Sequence, residues 1–373
     1  MSTHTLIAAP NNPPNAPLLG MDRGQLADYF ARLGERPFRA QQLLQWVYQR
    51  GELDFGCMTN LSKTLRERLG AEASLQLPTV RSEQRSADGT VKWLIDVGAG
   101  QAVETVFIPE PDRGTLCISS QAGCALDCSF CATAQGGFNR NLSSAEIIAQ
   151  VVLANQSLGR RADSSWPVTN VVFMGMGEPL ANYRNVVPVA RLLVDDFSYG
   201  LSRRRVTIST AGLVPQLRKL ATDAGVALAV SLHAPTDELR DELVPINRRY
   251  PIAELLDACW SYADGPGGRT ITFEYVMLDG VNDSIQQARD LAALMRGRPG
   301  KVNLIPFNPF EGTSYTRSSR QRIEAFRNEL VKRGALATIR RTRGDDIDAA
   351  CGQLAGRVAD RTKTRLGKKL RRT

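Results

Sequence analysis

The chain opens without a period: residues 1–20 mix Pro, Asn and Ala with no apolar repeat and are expected to be disordered. From there the apolar positions fall at helical spacing. Leu26, Tyr29, Phe30 and Leu33 make one stripe that Gly34 ends, and Leu43, Leu44 and Val47 make a second behind Pro37. A third is expected to be capped by Asn60, to carry Leu61, Leu65 and Leu69, and to stop at Gly70. Together they predict a small helical accessory domain over 21–88. The period then drops to two. Val91, Trp93 and Ile95 alternate with polar neighbours and 103–108 reads as a partner strand, predicting a β-hairpin linker over 89–109.

Beyond residue 110 short apolar runs alternate with helical patterns. Strands are predicted at 115–119, 168–174, 204–209, 226–232, 270–277, 301–306 and 336–341. Ser143-Ser144-Ala145-Glu146 reads as a capping box, Asp283 or Ser284 opens another helix, and a further one runs from about 319 to Lys332. Repeated strand–helix units predict an α/β fold over 110–345, its parallel sheet left open or curled into a full or partial barrel. Ligands then belong at the C-terminal ends of the strands. Residues 346–373 remain as a C-terminal segment.

Composition narrows the chemistry. With 43% hydrophobic and 23% charged residues among 373, the chain reads as an ordinary soluble globular protein. No run of about 18 apolar residues occurs, so no membrane span is expected. No basic-then-apolar leader opens the chain, so a cytoplasmic location is expected. Only two histidines, His4 and His233, are present, which leaves no material for a His-rich zinc hydrolase site. Seven cysteines, an odd count without an export signal, favour metal or thiol chemistry over a disulfide framework. The net charge of +9 is uneven, because 361–373 holds seven Lys and Arg and no acid. Such a tail attracts polyanions such as RNA, although a charge run is ordinarily just a solvated face.

The sharpest motif is Gly123-Cys124-Ala125-Leu126-Asp127-Cys128-Ser129-Phe130-Cys131, expected directly after strand 115–119. Cys124, Cys128 and Cys131 can converge on one iron–sulfur cube and leave its fourth iron without a protein ligand. A zinc knuckle is the bland alternative, but zinc generally wants four protein ligands and no fourth Cys or His follows nearby. Later strand ends carry small polar groups. Strand 168–174 runs into Gly175-Met176-Gly177-Glu178-Pro179, Ser209 ends the next strand, Ser231-Leu232-His233 ends another, and Asn308 follows 301–306. Each alone could be a turn or capping residue. Cys117 could be a small buried apolar residue, and Cys351 sits in the small-residue stretch Ala349-Ala350-Cys351-Gly352.

The three-cysteine loop on the first strand of a βα barrel resembles the radical S-adenosylmethionine (SAM) superfamily, which implies a partial (β/α)6 barrel, one [4Fe-4S] cluster and SAM. The order of Glu104-Thr105-Val106-Phe107-Ile108-Pro109, Cys117, the cluster loop, Gln135 to Leu142, Phe173 to Leu180 and Cys351 looks like the bacterial dual-specificity adenine-C2 methyltransferases. Those enzymes act on large-subunit ribosomal RNA near the peptidyl transferase centre and on the adenine 3′ of the anticodon in transfer RNA. The resemblance spans about 21–355 and extends to the family's RNA-binding accessory domain. It implies that Cys124, Cys128 and Cys131 hold the cluster, and that Gly177, Glu178, Ser209, Ser231, Leu232, His233 and Asn308 bind SAM. It further implies that two SAM are used per turnover: one methylates Cys351, and the other yields the 5′-deoxyadenosyl radical that activates the S-methyl group. The methylene radical adds to C2, Glu104 takes the C2 proton, and Cys117 resolves the RNA–protein adduct, leaving a disulfide with Cys351.

By the same resemblance the partners are the two RNAs and an electron donor such as flavodoxin with its reductase, and the chain is expected to be a monomer. Phosphate contacts are offered by Arg32, Arg36, Arg39, Arg50, Lys63, Arg66 and Arg68 of the module, by 203–205, by 340–343 and by the tail. The relatives that methylate C8 of the same ribosomal adenine share most of these motifs. A non-enzymatic RNA-binding protein with structural zinc, or a radical enzyme with another product, remains the alternative of a different class.

Overall fold

The computed structural model describes residues 16–265 and 270–361. The tail beyond Arg361 and the expected disorder of residues 1–15 lie outside that range. One ten-stranded sheet organises the chain. Seven strands run parallel in the order Arg113–Cys117, Asn170–Phe173, Val206–Thr210, Ala227–Ser231, Ile271–Met277, Gly300–Pro306 and Leu336–Ile339. All seven lie where apolar runs predicted them. Between them stand helices such as Ser144–Leu158, Tyr183–Val194, Val214–Asp223, Ile285–Leu294 and Arg320–Lys332. The capping box of Ser143 and Glu146 forms as read, and Ser284, with Gln287, caps the helix that follows it.

The sheet curls. Side chains from eight strands, Ala102–Glu110 through Leu336–Ile339, line one cavity of about 620 Å³ on its concave face. The strands Val80–Arg85 and Leu336–Ile339 end the strand order on opposite sides, so the barrel is partial.

Three expectations need correction. Residues 16–20 are ordered: Ala16–Pro17 pairs with Ala73–Ser74, and Leu18 and Leu19 are buried among the module's helices. The expected hairpin is a three-stranded antiparallel meander, Val80–Arg85, Val91–Asp96 and Ala102–Glu110, that continues the main sheet through Ile108 beside Thr115. Its first strand is exposed at every position, so it carries no alternation to read. Ser62, not Asn60, caps helix Lys63–Glu72, which runs through Gly70, while the Asn60 side chain accepts from Trp46 Nε1 at 2.6 Å.

Helices Arg23–Arg32, Phe38–Leu44 and Lys63–Glu72 bury Leu26, Phe30, Leu43, Leu65 and Leu69 against one another. The module is fastened to the barrel. Gln49 Nε2 donates to the Asp196 carbonyl and Trp166 Nε1 to the Tyr48 carbonyl, both at 2.8 Å. Several of its expected phosphate-binding cations are engaged locally: Arg39 with Glu35, Lys63 with Glu67, Arg68 with Glu72, and Arg50 over the Trp46 ring.

Candidate active site

The cysteine loop does not leave the first parallel strand directly. A short strand, Gln121–Gly123, intervenes and pairs with Phe138–Asn141, so the loop is closed at its base. Gly123 has φ +82°, and a Cβ there would sit 2.0 Å from the Gly137 carbonyl oxygen, so only glycine fits. Cys124, Cys128 and Cys131 line a cavity of about 170 Å³ together with Gly177, Glu178 and His233. Burial pushes the Cys124 thiol up to about 12, Cys128 well above its usual range and Cys131 upward. Three half-buried thiols lining one small cavity are a donor set suited to iron–sulfur ligation. Among the described residues no three His, Cys, Asp or Glu stand close enough together to hold a single metal ion.

The strand ends close the same cavity. Gly177 has φ +95°, and a Cβ would lie 2.5 Å from Gln121 Cβ. Glu178 is buried and turned inward, accepting from Leu180 N at 3.0 Å and Ala211 N at 2.8 Å. Burial nevertheless raises its carboxyl to about 7. Ser209, Ser231 and His233 line the cavity beside it. His233 is held in the left-handed region, φ 61°, with its ring 4.6 Å from that of Phe130. Burial drops its pKa to about 3, and Nδ1 accepts from Val276 N at 3.0 Å. The imidazole is therefore neutral with its proton on Nε2. Leu232 is wholly buried and lines neither cavity; its carbonyl accepts from Arg240. Asn308 lines the larger cavity instead, and its Oδ1 accepts from Arg317 at 2.6 Å.

One residue that no motif announces holds these strand ends together. Arg240 is fully buried and donates to the carbonyls of Ala211, Ser231 and Leu232 and to Asn247 Oδ1, at 2.7 to 3.1 Å. Burial pulls its pKa down to about 10, so it stays charged at neutral pH.

The two remaining thiols of interest meet in the larger cavity. Cys117 lies on strand Arg113–Cys117 and is buried; Cys351 is half-buried and lines both cavities. Burial, and then the nearby Cys351, push Cys117 up to about 12. Arg340 also lines both cavities, and the nearby Cys351 holds its guanidinium pKa up. The segment after Cys351 is strapped across the barrel: Ala132 N donates to the Gly352 carbonyl at 2.8 Å, and Arg357 pairs with Ala102. Glu104 is part of that strap and lines neither cavity. Its Oε2 accepts from the Ala355 and Gly356 amides at 2.8 and 3.0 Å, while Lys92 Nζ lies 3.2 Å from Oε1 and 3.3 Å from the Asp348 carbonyl.

Comparison with known proteins adds the family. Residues 16–75 match the ribosomal RNA large subunit methyltransferase N-terminal domain, and 118–292 match the radical SAM superfamily. A radical SAM methyltransferase from Sphaerobacter thermophilus is 45% identical, covers 91% of this chain and 99% of its own, and superposes with a TM-score of 0.83. The chain belongs to the radical SAM methyltransferases. Its family uses a [4Fe-4S] cluster and SAM, and the N-terminal module is that of ribosomal RNA methyltransferases. Two weaker likenesses are a domain of pyruvate-formate lyase-activating enzyme from Bacteroides vulgatus and HydG, a maturase of the [FeFe]-hydrogenase. They are 17% and 12% identical, cover 46% and 65% of this chain and 99% and 55% of their own, and have TM-scores of 0.37 and 0.44. No described helix of this radical SAM methyltransferase is long and apolar enough to cross a membrane.

Proposed function

We propose that the chain methylates C2 of an adenine in large-subunit ribosomal RNA, near the peptidyl transferase centre, and of the adenine 3′ of the anticodon in transfer RNA. Cys351 is the methyl carrier. The observation that carries this reading is the position of Cys351 in the wall shared by two cavities, one lined by the cysteine loop and the other by Cys117. A carrier must be loaded on one side and unloaded on the other, and this residue faces both.

Cys124, Cys128 and Cys131 would hold the cluster, while the Gly177 turn, Glu178, Ser209, Ser231, the Leu232 backbone and His233 would hold SAM. Asn308 would contribute from the larger cavity. When bound, the cluster and SAM would supply the methyl group and the 5′-deoxyadenosyl radical, and the cluster would take back the one electron that the base adduct must lose. The rest falls to the chain. Adenine C2 is electron-poor, so a methyl cation does not add to it, and a carbon radical held on the Cys351 sulfur does. Glu104 takes the C2 proton once the strap at Ala355 and Gly356 has released its carboxylate. Attack of the Cys117 thiolate on the Cys351 sulfur then breaks the sulfur–carbon bond, the freed carbon takes a proton to become methyl, and a disulfide remains for reduction. Arg113, Arg204, Lys301, Arg341 and Arg343 line the larger cavity and would meet phosphates. A donor such as flavodoxin with its reductase would deliver electrons to a monomeric enzyme.

Mass spectrometry of nucleosides from both RNAs, treated with the reconstituted enzyme, tests the reading. It predicts 2-methyladenosine. Finding 8-methyladenosine, or no modified base, contradicts it.

A further inference from the structure

The concave face carries a polar ladder of which the proposed chemistry uses only the first member, Ser231. Ser231, Glu274, Asn303 and Thr338 are register partners on four adjacent parallel strands. Register partners in a parallel sheet point the same way, and these four line the two cavities. The ladder has a direction. Thr338 Oγ1 donates to Asn303 Oδ1 at 3.2 Å, and Asn303 Nδ2 donates to Glu274 Oε2 at 2.8 Å. Asn303 is therefore fixed with its amide hydrogens towards the carboxylate, and Glu274 must always present an acceptor to it.

The setting makes this carboxylate unusual. Six Arg and Lys line the larger cavity, Arg113, Arg204, Lys301, Arg340, Arg341 and Arg343, against two acids, Glu110 and Glu274. Glu110 sits near the mouth in an ion pair with Arg113. Glu274 is deep, only 5% exposed, and lines the same cavity as Cys117 and Cys351. Burial raises its carboxyl against the opposing pull of Arg340, Asn303 and Lys301. A buried carboxylate is costly unless its oxygens meet donors. Asn303 supplies one, and a ligand in the lumen can supply the other. A nucleobase whose phosphates are taken by the basic lining brings such a donor only if it carries an amine or ring N–H on the edge turned inward.

We propose that Glu274, oriented by Asn303 and Thr338, is the specificity-determining acceptor for the exocyclic amine of the target base. The assignment rests on the reading of this site as an adenine methyltransferase. It explains why an acid stands in a basic lumen, and it makes a prediction about its amide. In Glu274→Gln the side-chain oxygen must face Asn303 Nδ2, which turns the new NH₂ group towards the base. Two donors then meet, and adenine is disfavoured, whereas hypoxanthine, with a carbonyl in place of the amine, is accepted.

The test compares an anticodon stem-loop RNA carrying the target adenine with the same RNA carrying hypoxanthine there, read as kcat/KM for methylation and as RNA affinity. The wild-type enzyme should favour adenine by roughly tenfold to a hundredfold, the range of one good base contact. In Glu274→Gln the preference should vanish or reverse. Asn303→Ala, which frees the carboxylate without replacing it, should shrink the preference part-way and serves if the Gln variant does not fold. A wild-type preference near one, or variants that lose activity equally on both RNAs, overturns the assignment and moves Glu274 to the cofactor side or to a structural role. Those results leave adenine methylation standing. Absence of methylated product from either RNA with the wild-type enzyme contradicts the functional reading as well.

Discussion

Arg240 organises the strand ends around the thiol-lined cavity without lining it. Its guanidinium spends its donors on the carbonyls of Ala211, Ser231 and Leu232 and on the Asn247 side chain. Those carbonyls end two neighbouring strands, so the residue sets where Ser209 and Ser231 point. Arg240→Met fills the volume but leaves buried acceptors unpaired, and should cost about 3 kcal/mol or more, as breaking a buried charged network does. Urea unfolding of the metal-free protein checks this, and SAM affinity should fall with it; a loss under about 1 kcal/mol contradicts the role. Nothing in the sequence singles out Arg240, one of many arginines, because its partners are carbonyls brought close only by the fold. The same holds for Glu274 and Asn303, whose pairing is a matter of strand register. The three loop cysteines were legible because their spacing is local.

At the scale of elements, the strap between Lys92, Glu104 and residues 348–356 decides where Cys351 stands. In this arrangement Glu104 is a clamp. Glu104→Ala removes two charge-assisted hydrogen bonds, and amide exchange at Ala355 and Gly356 should rise by at least about tenfold, with faster alkylation of Cys351. Unchanged protection would mean that the Arg357 pairing alone holds the segment. The closed base of the cysteine loop makes a second prediction. Gly123→Ala puts a Cβ 2.0 Å from a backbone oxygen at φ +82°, so the variant should bind little iron after anaerobic reconstitution while the helical module stays folded. Full iron loading would contradict that geometry. The parallel strands and two of the helix caps could be read ahead because each is a run of neighbours with its own period. The strand Val80–Arg85, the loop-closing hairpin and the strap could not. They are polar, short or joined to partners far along the chain, and the period of their own residues says nothing of them.

The whole molecule sets a cavity of about 620 Å³ with six Arg and Lys in its lining beside a small thiol-lined cavity and joins them at Cys351. Affinity and chemistry should separate at this scale. Deleting 362–373, which carry six Lys and Arg, should weaken RNA binding and flatten its salt dependence by up to about four in slope, if every charge meets a phosphate. SAM cleavage should persist, and an unchanged slope would make the tail a bystander. The central claim is that the methyl group travels through Cys351 and that Cys117 releases it. Cys117→Ala keeps the carrier and removes only the resolving thiol, for which water is a poor substitute. Denaturing electrophoresis of the iron-loaded Cys117→Ala protein after turnover with SAM, reductant and RNA is the most direct measurement. The account predicts RNA covalently bound through Cys351, absent from the Cys117→Ala, Cys351→Ala double variant. Normal multiple turnover by the Cys117→Ala protein, with no trapped RNA, would contradict it.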